Sequence, residues 1–285
     1  MCNHQTMSGV RAALRSGRRL SRRTAMAGTL GLAAAGIAGA AHSRQTGAAG
    51  QSGHGSALGR AVDLTHPLSA DFPVYPGYAP FSAVVTSTID GIGSLSRQVT
   101  MEEHVGTHVD APAHFAADGN DVSAIPADQL IAPLVVIDIA DRAAEDADAT
   151  VTVDDILAWE SDNGDLPKGV FIAMRSGWDR RANDAASFLN AGPDGVLHFP
   201  AWSPDAATFL VEEREIVGLG VDTLSMDNAT SPTFESHVIL LGAGHYGVEN
   251  LAGLGEVPPA GATIIVGAPR FAGGSGGPAR VLALV

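Results

Sequence analysis

The stretch His104-Val105-Gly106-Thr107-His108-Val109-Asp110-Ala111-Pro112-Ala113-His114-Phe115 gathers three of the chain's ten histidines, one carboxylate, a Gly and a Pro. Imidazole and carboxylate both offer lone pairs at neutral pH and are the usual donors of zinc, manganese and iron sites. His104, His108, Asp110 and His114 lie even numbers of residues apart, so an extended chain turns them all to one face. A helix, at roughly 100° per residue, would carry Asp110 about 240° round from His104. A straight strand fails as well: at roughly 3.3 Å per residue, His104 and His108 would be about 13 Å apart, too far for one ion with bonds of about 2 Å. The chain must bend between them, and Gly106 can take the backbone angles a bend requires. Pro112 stiffens the exit and withholds a ladder hydrogen bond. The expectation is a short bent strand running into a loop. His104, His108 and Asp110 would hold a metal on its concave side, with His114, beyond the Pro, as a nearby acid or base.

One segment rarely completes a catalytic metal site, so further donors are sought at His198, His237, His245 and the acids near them. His237 opens the apolar run Val238-Ile239-Leu240-Leu241, and Glu249 lies between apolar neighbours in Tyr246-Gly247-Val248-Glu249-Asn250-Leu251. A carboxylate in such a setting needs a cation or a donor. The spacing leaves ligation, helix capping and a buried hydrogen bond all open for this pair. Phe115, Trp178 and Trp202 are candidate walls for an aromatic substrate, or plain core.

Around these residues strand and helix signals alternate. Ala61–Thr65, Ser82–Ser87, Ser94–Met101, Pro133–Ile139, Val170–Met174, Ile216–Leu224, Thr263–Val266 and Val281–Val285 read as strands, with a Pro-rich connection at Pro67–Pro80. Thr152 is placed to cap a helix from Val153 to about Ser161, with Asp154 and Asp155 in its first turn. Ser203-Pro204-Asp205 starts another that runs to about Arg214. The pattern predicts one mixed α/β domain over residues 59–285 in which β structure dominates.

The motif H-x-G-T-H-x-D-x-P-x-H resembles the signature of the cyclase superfamily of metal-dependent hydrolases, which includes isatin hydrolases and bacterial kynurenine formamidases. The resemblance extends to Gly220-Val221-Asp222-Thr223-Leu224-Ser225-Met226-Asp227, to His198-Phe199-Pro200, and to a His and a Glu twelve residues apart, His237 and Glu249. It implies the swivelling β/β/α fold of that family. It also implies a divalent metal, zinc or manganese, with one or two ions per chain. His104, His108 and Asp110 would hold one ion; Asp110, His237 and Glu249 would hold the other, Asp110 bridging. His114 would be the general acid/base. Phe115, Trp178, His198, Trp202 and Ser225 are the candidate substrate contacts. The extra sequence around residues 179–198 and the run Gly277-Pro278-Ala279-Arg280-Val281 look more like the isatin hydrolase branch. A metal lowers the pKa of water toward neutrality and polarises a carbonyl. The implied activity is therefore hydrolysis of an amide C–N bond in a small aromatic substrate, with His114 moving the proton. A lactone or ester hydrolase on the same residues, or a metal binder without turnover, are the alternatives. The resemblance favours a homodimer or larger homo-oligomer.

The beginning of the chain reads as an export signal. Six arginines between Arg11 and Arg23 precede an uncharged Ala/Gly-rich run ending in Ala38-Gly39-Ala40, and Ser21-Arg22-Arg23 suggests the twin-arginine route, giving a periplasmic or secreted protein. The run is too short and weakly apolar for a stable membrane anchor. Residues 1–40 are assigned to this signal and 41–58 to a flexible lead-in. Without the signal, 11 basic residues stand against 31 acidic ones, a net charge of −20, which excludes a basic surface for nucleic acid. The single cysteine, Cys2, lies in the signal, so the remainder has neither disulfide nor thiol nucleophile. Two further motifs are set aside. Gly242-Ala243-Gly244-His245-Tyr246-Gly247 spells G-x-G-x-x-G, but no acid follows where a ribose partner would stand. Gly273-Gly274-Ser275-Gly276-Gly277 spells G-x-S-x-G, but the chain ends without the acid and His that a hydrolase triad needs, so a flexible loop is expected.

Overall fold

The computed structural model describes residues 59–285, and the expected signal and lead-in lie outside them. Val85–Arg97 are the described part of one compact unit. They comprise the end of β2 (Ser82–Ser87), helix α1 (Ile89–Ile92) and the start of β3 (Ser96–Thr100). Thr88 caps α1 by accepting the Gly91 N–H at 3.1 Å.

The other unit is built on a mixed sheet. Its strands are β1 (Ala61–Asp63), β4 (His108–Asp110), β5 (Ile131–Asp138), β7 (Val170–Arg175), β9 (Ile216–Val221), β10 (Tyr246–Glu249), β11 (Ala262–Gly267), β12 (Gly276–Pro278) and β13 (Arg280–Leu284). Their order is β1-β13-β11-β5-β7-β9-β10-β4-β12. The central run β5-β7-β9-β10 is parallel, and the flanking pairs are antiparallel. Strands buried on both faces need no polar alternation, which is why β5 and β7 read as continuous apolar runs. Leu134, Val136, Phe171 and Ala173 point into a core on one face, with Val62, Val109, Val248 and Ile264. Val135, Ile137, Ile172 and Met174 point into a second core on the other. β9 carries a bulge where Val170 pairs with Ile216 but Phe171 with Gly218.

Helices cover the second core. α2 (Ala140–Glu145) follows β5 directly. In α3 (Val153–Asn163) Thr152 accepts the Asp155 N–H at 3.3 Å while the Asp155 carboxylate accepts the Thr152 N–H at 2.7 Å, a reciprocal cap that fixes the start. Its inward side carries Ile156 and Trp159. α4 (Ala185–Leu189) buries Phe188 in a small satellite core with Trp178, Leu197, Phe199 and Leu224. α5 (Pro204–Glu213) starts at Ser203, which accepts the Ala206 N–H at 3.1 Å, and buries Ala206, Ala207 and Leu210. A two-stranded parallel ribbon joins β6 (Thr150–Val151) to β8 (Ala201–Trp202).

α6 (Glu235–Gly242) carries no start signal of its own, because Phe234 before it sits in the left-handed region at φ 51° and offers no side-chain cap. Its first amides are taken instead by Asp227, which accepts Ser236 N–H at 2.7 Å and His237 N–H at 3.0 Å. Two expectations change here. The strand expected to reach Leu224 ends at Val221, where the chain leaves the sheet to carry Ser225 and Asp227. Gly276 and Gly277, expected as flexible loop, belong to strand β12: lying beside β4 supplies the pairing that its own composition does not favour. The G-x-G-x-x-G run closes α6 and enters β10, a helix-to-strand order opposite to that of a dinucleotide loop.

Candidate metal centre and active cavity

β4 lies between β10 and β12. Glu249 stands directly opposite His108, and Gly247 and Gly276 both stand opposite Asp110. Because side chains alternate along a strand, His108, Asp110 and Glu249 share one face. A Cβ at Gly247 would run into Met226 and one at Gly276 into the His104 ring, so the two glycines let those side chains close in beside Asp110. The bend required before β4 is present: Gly106 has φ +66°, with Leu68 Cδ1 only 2.9 Å from where a Cβ would stand. It brings His104 back over the strand, so that His104 Nδ1 lies 2.6 Å from Asp110 Oδ1. After Asp110 a short 3-10 turn over Pro112–His114 swings His114 onto His104, ring centroids 3.8 Å apart. The last donor, His237, arrives from the first turn of α6.

The five expected ligands come together as two groups that share one residue: His104, His108 and Asp110, and Asp110, His237 and Glu249. His108 Nε2 lies 3.3 Å from Asp110 Oδ1 and 3.4 Å from Glu249 Oε2. His237 Nε2 lies 3.5 Å from Asp110 Oδ2 and 3.0 Å from Glu249 Oε1. His108, Asp110, His237 and Glu249 are buried, yet His108 Nε2 and Asp110 Oδ2 have no hydrogen-bond partner. A buried donor or acceptor left unmade costs roughly 1–3 kcal/mol. Two such atoms at the centre of a His/carboxylate nest fit a cation that is hard enough for carboxylate and soft enough for imidazole.

The electrostatics agree. Burial opposes charge on His108, but Asp110 and Glu249 outweigh it and push the imidazole up to about 10. His237 is likewise raised, burial being overcome by Asp110, Asp227 and Glu249. Burial works against the Asp110 carboxylate, which His108, His104 and His237 hold well below its ordinary range. Glu249, opposed by burial and by Asp110, is lowered by His108 and His237. The nest collects positive charge, as protons when nothing else supplies it. A divalent ion replaces those protons and leaves the rings neutral, so binding releases protons. His114 behaves oppositely: burial, with His104 and His237 adding to it against Asp110, pushes it down to about 4. It is a neutral base at working pH.

The nest forms the floor of a cavity of about 220 Å³ whose walls include Tyr75, Tyr78, Phe115, Leu224, Ser225 and Phe234. His114 and His237 also face it. Burial, with the Glu249 charge adding, raises both tyrosine phenols, so they keep their protons and can donate. Of the expected substrate contacts, Phe115 and Ser225 line the cavity. Trp178, Trp202 and His198 do not, and their sequence assignment is corrected. Trp178 is buried in the satellite core with its indole N–H on Phe188 O at 2.8 Å, reaching the cavity only through Leu224. Trp202 is buried beneath α6, donating to Gly220 O at 3.2 Å and accepting Ser236 Oγ–H at 3.1 Å. His198 pairs with Asp148 at 2.8 Å and fixes a surface loop.

Asp227, Tyr75, Tyr78 and Phe234 are the residues that sequence reasoning did not single out. Asp227 accepts His237 Nδ1–H at 2.5 Å as well as two amides of α6, so one carboxylate both starts the helix and aims its histidine. Asn250, with φ +55°, donates to Gly106 O at 2.9 Å and its own carbonyl accepts Thr107 Oγ1–H at 2.6 Å, tying the end of β10 to the bend before β4.

Comparison with known proteins points the same way. The Cyclase family model matches residues 62–228. An isatin hydrolase from Roseibium aggregatum is 38% identical over 196 residues, covering 66% of this chain and 73% of the relative. A kynurenine formamidase from Paracidovorax citrulli is 30% identical over 204 residues, covering 69% and 83%. Isatin hydrolase A from Labrenzia aggregata, solved with benzyl benzoate bound, superposes with a TM-score of 0.77 at 38% identity, over 82% of this chain and 96% of that one.

Proposed function

Because this chain belongs to the cyclase family and is a metal-dependent amide hydrolase, we propose that its substrate is a small cyclic aromatic amide of the isatin kind. The reading is carried by an aromatic-walled cavity that opens onto a His/carboxylate nest. We propose zinc or manganese as the metal. His104, His108 and Asp110 would hold one ion, and Asp110, His237 and Glu249 provide for a second. When bound, the ion would polarise the scissile carbonyl and make water acidic enough to attack at neutral pH.

The remaining steps fall to the chain's own side chains. Phe115 and Phe234 stand at the cavity with ring centroids 5.7 Å apart and offer flat apolar surface to an aromatic ring. Tyr75 and Tyr78 offer protonated hydroxyls on the same cavity. His114, neutral and stacked on His104, takes the proton of the attacking water and returns it to the leaving nitrogen. The C–N bond breaks as that proton arrives, giving an aromatic amine and a carboxylic acid that loses the second water proton to solvent and leaves as a carboxylate. For a cyclic amide both stay on one molecule, so the product leaves bearing a new negative charge from a site already rich in carboxylates.

Turnover of isatin, N-formylkynurenine and a dienelactone by metal-loaded protein tests the assignment. Highest kcat/KM on isatin is expected. A preference for N-formylkynurenine, or silence toward all three with metal bound, would overturn the cyclic-amide substrate; a preference for the lactone would move the reaction to ester cleavage. We also propose a homo-oligomer and export by the twin-arginine route, supported by the family resemblance and by Ser21-Arg22-Arg23. A monomer by light scattering would remove the first. Full translocation with Arg22 and Arg23 changed to Lys would remove the second.

A further inference from the structure

Each of the three histidines in the nest turns one ring nitrogen toward the carboxylates and has the other held from outside. His108 Nδ1 meets Gly106 O at 2.8 Å, and His237 Nδ1 meets Asp227 Oδ2 at 2.5 Å. Carbonyl and carboxylate oxygens only accept, so both rings carry a proton on Nδ1, and Nε2 is the nitrogen that offers a lone pair once an ion has displaced its proton. His104 is mounted the other way round. Its Nδ1 faces Asp110 Oδ1 at 2.6 Å, and its Nε2 meets the Ser275 hydroxyl at 2.8 Å. Without an ion the Asp110 carboxylate accepts the His104 Nδ1–H, and ligation displaces that proton; a hydroxyl can donate or accept, so Ser275 alone does not decide where the ring's remaining proton sits.

Glu103 decides it. Ser275 Oγ donates to Glu103 Oε2 at 2.7 Å, and the Ser275 backbone N–H donates to the same oxygen at 2.9 Å. With its hydrogen committed to the carboxylate, the hydroxyl is left as an acceptor. With an ion bound, His104 would then carry its one proton on Nε2 and turn the Nδ1 lone pair to that ion. We propose that Ser275 and Glu103 are positioning residues for the metal, a relay in which Glu103 orients the Ser275 hydroxyl and that hydroxyl fixes the ring and tautomer of His104.

The backbone around Ser275 is shaped for this contact. A Cβ at Gly274 would stand 2.8 Å from Glu103 Oε1, and one at Gly276 would stand 2.7 Å from His104 Cε1 and 2.3 Å from Val109 O. Gly276 has no room for a side chain against the β4 backbone, and a side chain at Gly274 would push on the Glu103 carboxylate. Ser275 O accepts the Ala111 N–H at 2.9 Å, and Gly276 pairs with Asp110, so the hydroxyl is carried by the strand that flanks the metal-binding strand itself. This gives the G-x-S-x-G run a role unrelated to a nucleophilic serine.

The proposal rests on the nest being a metal site, and zinc affinity tests it without turnover. The full-length metal-free chain is titrated with zinc against a chromogenic chelator. Ser275→Ala is expected to bind zinc about 10–100-fold more weakly, the range for losing a partner of a ligating histidine. Glu103→Ala should weaken it in the same direction. The double variant should fall within about 3-fold of Ser275→Ala, because two groups in one network do not add. Ser275→Thr, which keeps a hydroxyl, should return affinity to within about 3-fold of the wild type, a rescue that mere filling of space would not produce. Unchanged affinity in Ser275→Ala, or losses that multiply in the double variant, would overturn the relay. If Ser275→Ala does not fold, Glu103→Ala decides: unchanged zinc affinity there overturns it equally. A wild-type chain that binds no zinc removes both the metal site and the relay; one that binds it, and loses it in His108→Ala, keeps the site whatever the relay variants do.

Discussion

Replacing Asp227 probes how one buried carboxylate serves two ends. It takes three donors on two oxygens: Ser236 N–H at Oδ1, and His237 N–H and His237 Nδ1–H at Oδ2. Asp227→Asn keeps size and shape but replaces one acceptor by a donor pair. If the amide oxygen takes the Oδ2 place, Ser236 N–H faces an NH2 group and the start of α6 loses a bond. If it takes the Oδ1 place, the NH2 group faces both His237 N–H and His237 Nδ1, so α6 again loses a bond and the neutral ring must carry its proton on Nε2, the atom turned toward Asp110 and Glu249. A stranded buried donor costs roughly 1–3 kcal/mol. Either arrangement therefore lowers the Tm of the metal-free protein by about 2–12 °C, at about 2–4 °C per kcal/mol for a domain of this size. The second also weakens metal binding about 10–100-fold. Asp227→Ala strands all three donors and should do both. Thermal melts of metal-free protein and zinc titration together read the outcome. An Asp227→Asn protein with unchanged Tm and unchanged zinc affinity would refute the reasoning, since no orientation of the amide satisfies all three donors.

Other consequences can be measured separately. His114→Gln should keep metal content and lose about 10²–10⁴-fold in kcat; unchanged turnover would end its role as proton carrier. The fold should also register His114 directly. Its folded value near 4 lies below the ordinary 6.5, so between those values the unfolded chain binds a proton that the folded one refuses. Its contribution therefore makes stability fall as pH drops from 6.5 toward 4 and has no slope above 6.5. Denaturant melts of metal-free wild type and His114→Gln should diverge only in that window, and parallel curves through it would contradict the buried neutral ring. Gly276→Ala should cost about 1–3 kcal/mol through overpacking, because the methyl would lie 2.3 Å from Val109 O in the middle of β4. It should also weaken zinc binding by displacing His104, and a variant as stable as the parent would show that β12 can shift freely.

The parts of this molecule legible in its sequence are those whose cause is local. The bend at Gly106 follows from the spacing of His104 and His108. The starts of α3 and α5 follow from Thr152 with Asp155 and from Ser203 with Pro204, each a cap contained within four residues. The elements that were missed have their causes elsewhere in the chain. α6 is capped by Asp227 from eight residues before its first turn, and the left-handed Phe234 that begins it carries no start signal. β12 is a strand of Gly, Gly and Pro that exists because β4 lies beside it. Tyr75 and Tyr78 reach the cavity from a Pro-rich connection whose path no periodicity describes. Trp178 and Trp202 misled for the opposite reason: aromatic residues near a site are as useful for supporting it as for lining it, and burial alone separates the two uses.

The placement of β4 bears on how the protein is made. It is finished by residue 110, but both of its neighbours come from beyond residue 245. During synthesis three residues carrying two metal ligands therefore wait with both edges bare while more than half of the described chain emerges. Long-range pairing of this kind is slow, because the chain must close a large loop before any contact rewards it. Completion of the centre is thus a late event that follows release of Pro278 from the ribosome. A nascent chain stalled before that point would display an unpaired strand to its neighbours, the kind of edge on which aggregation starts.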